Sequence, residues 1–232
     1  MNDSSGVRVY FTDELRPMDM GVIKLGDPDT NLEGVRIPEG KSEVLFECPG
    51  SCTEQYFEAE EVTVFSHMMH MHENGRKLQT RQYRNDSGGN EFLVRSVEVE
   101  YFSFVQAAAY FAPGNSTIQK GDRFETECFY DTALSSVGAE NVTFGLGSEN
   151  EMCIDYVFYY PDQRVPDSGT CGYGGCNGSA ESLTELEPSS DFNRTFGTAG
   201  TCTVDAVEVR GWLGSDRSIS SANKQKTTHT HK

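Results

Sequence analysis

Three of the chain's five histidines fall in one short run, His67-Met68-Met69-His70-Met71-His72-Glu73-Asn74-Gly75. It follows the β-branched stretch Val62 to Phe65 and ends in an Asn-Gly turn. On a strand, residues two apart share a face, with Cα atoms roughly 6.5 Å apart. If the strand continues to His72, then His70 and His72 stand side by side with Met68 on their face. His67, Met69 and Met71 take the other face. Two imidazoles so placed can bind one metal ion, and a thioether beside them favours copper, because soft sulfur suits Cu(I). The same pattern also describes solvent-facing or hydrogen-bonded histidines, and clustered methionines commonly fill core gaps. Spacing alone leaves both readings open.

The elements that must position this run read as strands. Val7 to Phe11, Glu43 to Phe46, Glu61 to Ser66, Lys77 to Tyr83, Phe92 to Phe104, Arg123 to Tyr130, Val142 to Leu146 and Ile154 to Tyr160 are rich in β-branched and aromatic residues. Turn clusters such as Pro38-Glu39-Gly40, Glu73-Asn74-Gly75 and Lys120-Gly121-Asp122 separate them. No long segment has a helical period; Gln106 to Phe111 could make one helical turn. The expected fold is all-β, an antiparallel jelly-roll β-sandwich stapled by disulfides. Its expected extent is residues 1–213. A glycine-rich loop with two cysteines, Gly169 to Gly178, and a short strand region near Thr201 to Trp212 lie in its last third. The polar tail from Gly214 to Lys232 reads as disordered.

The net charge of −17 argues against nucleic acid and anionic membranes as partners. It is compatible with a cationic substrate, and the acids also serve solubility. No apolar run approaches the ~20 residues of a membrane span. Sequons begin at Asn2, Asn85, Asn115, Asn141, Asn177 and Asn193, and seven cysteines are scattered without metal-site spacing. Both features point to a secreted or vesicle-lumen protein, with a signal peptide expected upstream.

Four segments carry a resemblance, in order and over about residues 5 to 175. They are Leu15-Arg16-Pro17-Met18-Asp19-Met20-Gly21 with Leu25-Gly26, the pair Cys48 and Cys52, His70-Met71-His72-Glu73-Asn74-Gly75-Arg76-Lys77, and Glu151-Met152-Cys153-Ile154-Asp155-Tyr156-Val157-Phe158-Tyr159-Tyr160-Pro161. Together they resemble the C-terminal domain of the copper type II ascorbate-dependent monooxygenases, dopamine β-hydroxylase branch. The resemblance implies one copper ion on His70, His72 and Met152, where dioxygen is activated and a substrate C–H bond is hydroxylated. It places Tyr156 near the substrate side of that copper, where it could equally be an ordinary packed aromatic. It implies disulfides Cys128–Cys153 and Cys48–Cys171. Cys52–Cys202 is then expected, with Cys176 unpaired and an exchange of Cys171 and Cys176 as the alternative; one of seven thiols must stay unpaired within the chain.

Departures narrow the reading. The family's peptide-amidating members carry an arginine two residues before the first histidine, and an asparagine two after the methionine. Met68 and Ile154 stand there instead. Peptide amidation is therefore not expected, and a small amine of phenylethylamine type fits better. Asp155, facing away from Met152 on a strand, is expected at the surface. The family's first domain binds a second copper through three histidines and takes electrons from ascorbate. His229 and His231 sit in the polar tail, so the residues shown cannot build that centre, and it is expected in a further N-terminal domain. The expected function is the oxygen-activating half of a secreted hydroxylase; the alternative is a non-catalytic extracellular domain used for structure or adhesion.

Overall fold

Strand periodicity shows most plainly from Lys41 to Cys48, where buried and half-buried side chains alternate without interruption. In the computed structural model, which describes residues 5–133, 135–166, 169–181 and 183–185, this is the second strand of the chain. In chain order the elements are β1 (Gly21–Gly26), β2 (Lys41–Cys48), α1 (Gly50–Tyr56), β3 (Glu61–His70), β4 (Gly75–Asn85), β5 (Glu91–Val99), β6 (Ala109–Phe111), β7 (Thr117–Gln119), β8 (Arg123–Asp131), β9 (Ile154–Tyr160), β10 (Thr170–Gly172), β11 (Ser179–Ala180) and β12 (Thr184–Glu185).

They form two six-stranded sheets. One runs β10-β1-β9-β3-β6, with β7 also on β3; the other runs β11-β2-β8-β4-β5, with β12 also on β2. Pairing is antiparallel except between β1 and β10. The inner faces meet in a two-sheet sandwich core that includes the fully buried Phe46, Phe124, Tyr130 and Tyr159. The outer face of the second sheet is a charged lattice: Arg81 pairs with Glu125 and Glu127, and Arg123 with Glu91 and Glu125. Such half-exposed pairs add little stability each and keep that face in water.

Three disulfides staple the sandwich. Cys48–Cys171 ties β2 to β10, and Cys128–Cys153 ties β8 to the residue before β9, so each joins the two sheets. The third corrects an expectation: Cys52 on α1 is bonded to Cys176, so Cys176 is not the unpaired thiol and Cys52 is not available for the expected bond to Cys202. The glycine-rich loop after β10 folds back toward α1, and the two cysteines lie at bonding distance, with Cα atoms 5.7 Å apart. Cys202, the strand region near Thr201 to Trp212 and the tail lie outside the described residues.

Four local readings also differ. Val7 to Phe11 makes no strand; Val7 and Phe11 are 91% and 95% exposed, because strand propensity without a partner ladder stabilises nothing. Val142 to Leu146 contributes only isolated bridges, Arg36 with Thr143 and Phe144 with Glu151. Gln106 to Phe111 is not a helical turn: a 3₁₀ turn at Phe104–Gln106 precedes β6, which pairs with β3. Asp155 is fully buried rather than at the surface. β9 lies between β1 and β3, and its inward set is Asp155, Val157 and Tyr159, so the residue alternating with Met152 is the one covered.

Removing the Cys128–Cys153 bridge, with 25 residues of separation, is expected to lower the unfolding free energy by about 3 kcal/mol on loop entropy. Denaturant unfolding of the Cys128→Ala/Cys153→Ala protein measures this. Non-reducing peptide mapping should recover Cys52 linked to Cys176.

Candidate metal centre

The pairing of β3 with β9 builds the site. Its register sets Met68 opposite Tyr156, Met69 opposite Asp155 and His70 opposite Ile154. Directly paired residues share a face, so His70, Met68 and Tyr156 lie on one side of the sheet. His67, Met69 and Asp155 lie on the other, inside the sandwich, where each is at most 2% exposed. β3 ends at His70, and the chain turns through His72, whose carbonyl accepts from the Gly75 amide at 3.2 Å. Past the strand ends, the His72 amide donates to Glu151 Oε2 at 2.9 Å, so His72 sits beside the residue that precedes Met152. His72 and Met152 are nearly buried, at 5% and 8% exposure.

The imidazoles of His70 and His72 meet edge to face with centroids 5.0 Å apart, and Phe104 packs on His72 at 5.3 Å. The Nδ1 of His72 is 3.1 Å from the Asn150 carbonyl. A carbonyl only accepts, so Nδ1 donates, and in the neutral ring Nε2 keeps its lone pair for a metal. Burial, and secondarily the neighbouring His72, hold the His70 imidazole below its ordinary pKa, which favours its neutral, ligating form.

The chain around Met152 is fixed on both sides. The amide of His72 donates to Glu151 Oε2 at 2.9 Å and that of Asn74 to Oε1 at 2.5 Å, so one buried carboxylate clamps the histidine turn onto the methionine segment. Burial pushes Glu151 up to about 7, while those amide hydrogen bonds pull it down. Tyr130 donates to the Met152 carbonyl at 3.2 Å. Behind them, Gly26 sits at φ +95, and a Cβ there would lie 2.1 Å from the Cys153 carbonyl oxygen. Only glycine lets β1 approach so closely, and the next amide, Asp27, then donates to that carbonyl at 2.9 Å.

His70 and His72 thus lie together at the end of β3, with the Glu151-Met152 segment held against the His72 turn, and Tyr156 shares the face of His70. Burial, and secondarily Asp29, hold the Tyr156 phenol above its ordinary pKa, so it stays a neutral hydrogen-bonding group. Imidazole and thioether donors are the types that suit reduced copper. Spacing pointed to neither Glu151 as the clamp nor Phe104 as the packing partner of His72. The only trace of the first was a carboxylate beside a proposed ligand in Glu151-Met152-Cys153. The other sulfur cluster, Cys48, Cys52 and Cys171, is committed to disulfides and offers no thiolates. The four sequon asparagines among the described residues, Asn85, Asn115, Asn141 and Asn177, are all exposed; Asn2 and Asn193 lie outside them.

Residues 18–179 match the profile of the copper type II ascorbate-dependent monooxygenase C-terminal domain. The chain is 34% identical to a tyramine beta-hydroxylase of Caenorhabditis briggsae over 70% of its own length and 26% of that protein's. It is 31% identical to the dopamine beta-hydroxylase of Bos taurus, over 70% and 26%. Against a putative DBH-like monooxygenase protein 2 of Homo sapiens the identity is 32%, over 74% and 33%. The chain therefore spans about a quarter to a third of these relatives. By the extent of the profile match and by these identities, the chain belongs to the copper type II ascorbate-dependent monooxygenase family.

Proposed function

We propose that this chain is the oxygen-activating copper domain of a secreted or vesicle-lumen monooxygenase, with one copper on His70, His72 and Met152. The observation that carries the reading is the convergence of two imidazoles and a thioether segment through the β3–β9 register. Copper, when bound, supplies the activation of dioxygen that permits C–H hydroxylation. The protein's own part is to hold the two imidazoles, favour the neutral form of His70, shield the thioether segment from water, and clamp the histidine turn to that segment through Glu151. Tyr156, on the face of His70, is proposed to line the substrate side and orient the substrate by its hydroxyl.

The substrate is proposed to be a small aromatic amine. Two relatives are named for tyramine and dopamine, the net charge of −17 favours cations, and Met68 stands where peptide-amidating members carry an arginine. Electrons are proposed to come from ascorbate through a second copper held by another domain, because outside His67, His70 and His72 the chain has only His229 and His231. Disulfides and exposed sequons support an oxidising, secretory location. Among the described residues, no helix is long and apolar enough to cross a membrane.

The purified chain is expected to bind one copper. His70→Ala, His72→Ala and Met152→Ala should each weaken Cu(I) binding, the histidine variants by about 100-fold, read by competition with a chromophoric chelator. Unchanged binding in all three defeats the assignment and favours a non-catalytic domain. With copper, ascorbate and a phenylethylamine, the isolated chain is expected to show little or no coupled hydroxylation; brisk turnover contradicts the need for a second centre. Expressed in a secretory host, it should lose mass on peptide N-glycosidase digestion, with deamidation at Asn85, Asn115, Asn141 or Asn177.

A further inference from the structure

The sandwich core is not continuous. It divides into two apolar clusters, one including Val62, Val64, Phe124 and Val157, the other Met69, Met71, Cys128 and Cys153. On three strands a buried polar residue interrupts the passage from one to the other: His67 on β3, Asp155 on β9 and Thr126 on β8. Thr80 and Gln82 continue the band on β4, and Asp122 on the turn before β8; each of these six residues is at most 3% exposed.

The charges in this band fall into two groups. Asp122 is well paired: Arg84 donates to it twice, both at 2.7 Å, and Gln82 at 2.5 Å. Asp155 is held differently. The Nδ1 of His67 donates to its Oδ2 at 2.9 Å, while Asp155 Oδ1 and His67 Nε2 have no hydrogen-bond partner among the described residues. Arg95 of β5, in the opposite sheet, is a cation that feels the Asp155 charge. Its Nη1 and Nη2 are buried and likewise unpartnered. Burial pushes the Arg95 guanidinium down to about 10, against the attraction of Asp155 and Asp122.

Such an arrangement is a poor way to gain stability. Replacing buried charges with apolar groups of similar volume is often neutral or favourable, and the best-attested use of buried polar pairs is to fix register. The location fits that use. His67 lies three residues before His70, and Asp155 three after Met152. The two are diagonal neighbours on the ladder, His67 opposite Val157 and Asp155 opposite Met69. A slip of one residue between β3 and β9 would move one of the pair to the opposite face. It would also carry His70 out of step with the Met152 segment. The ladder already has a shift between Val64 and Ser66, just before His67, so hydrogen bonding alone tolerates irregularity there.

We propose that His67 and Asp155 are positioning residues for the metal centre: their buried hydrogen bond, with Arg95 as countercharge, selects the β3–β9 register that brings His70 and His72 to Met152. This rests on the copper reading above. Its distinguishing consequence is that stability and metal binding part company. In His67→Phe/Asp155→Leu/Arg95→Met, thermal stability without metal should equal or exceed that of the parent chain, while Cu(I) affinity falls about 10- to 100-fold. His67→Gln, whose amide can still donate to Asp155, should stay within about threefold. Parent-like affinity in the triple variant overturns the proposal, and so does an affinity loss that only follows a loss of stability. Amide hydrogen exchange on metal-free His67→Leu gives a reading independent of copper. Faster exchange confined to Met68–His70 and Ile154–Tyr156 supports a register role; a uniform rise across both sheets overturns it. If the parent chain binds no copper, the copper reading fails by itself, and the exchange pattern still decides whether the pair sets the register.

Discussion

The ladder between β3 and β9 is the constraint on which the rest depends. It sets the strand of the histidine run beside the strand that follows Met152, about eighty residues on in sequence. Each rung sorts side chains between two environments. One face carries His70, Met68 and Tyr156; the other buries His67, Met69 and Asp155. Because strand periodicity is two, a slip of one residue would exchange these sets, and the site would be lost with no change of composition.

Other features defend that ladder. Cys128–Cys153 ties the start of β9 to β8 in the facing sheet, and Tyr130, on β8, donates to the Met152 carbonyl. Gly26 lets β1 press against Cys153 from the far side. Glu151 then gathers the amides of His72 and Asn74, so the turn after β3 cannot drift from the segment before β9. Burying a carboxylate costs free energy, which here is offset by backbone donors and spent on geometry.

Much of this was legible in the sequence. The strand character of Glu61 to Ser66 and Ile154 to Tyr160 is plain in the sequence, because central strands advertise themselves through β-branched and aromatic residues, whereas the strand stops at His70 rather than running on to His72. What escaped depended on partners distant in the chain. Val7 to Phe11 has strand composition but no ladder. Gly50–Tyr56 is a helix too short to show a period. Asp155 read as surface because charge is usually exposed, and only the position of β9 between two neighbours reveals which face is covered. Cys52 pairs with Cys176 rather than Cys202, because pairing among scattered cysteines follows from the fold, not from spacing. Within the site, the family resemblance offers His70, His72 and Met152 as candidate ligands, but nothing in the sequence marks the clamp at Glu151, since it acts through backbone amides.

The central claim is that two imidazoles and one thioether from this chain meet at a single copper. X-ray absorption of the Cu(I)-loaded protein tests it most directly. The expected coordination shell is two histidine nitrogens and one sulfur at about 2.3 Å, the usual metal–sulfur distance. The sulfur should vanish in Met152→Ala while the imidazole scattering remains. A shell without sulfur in the parent protein, or a sulfur that survives Met152→Ala, would contradict it.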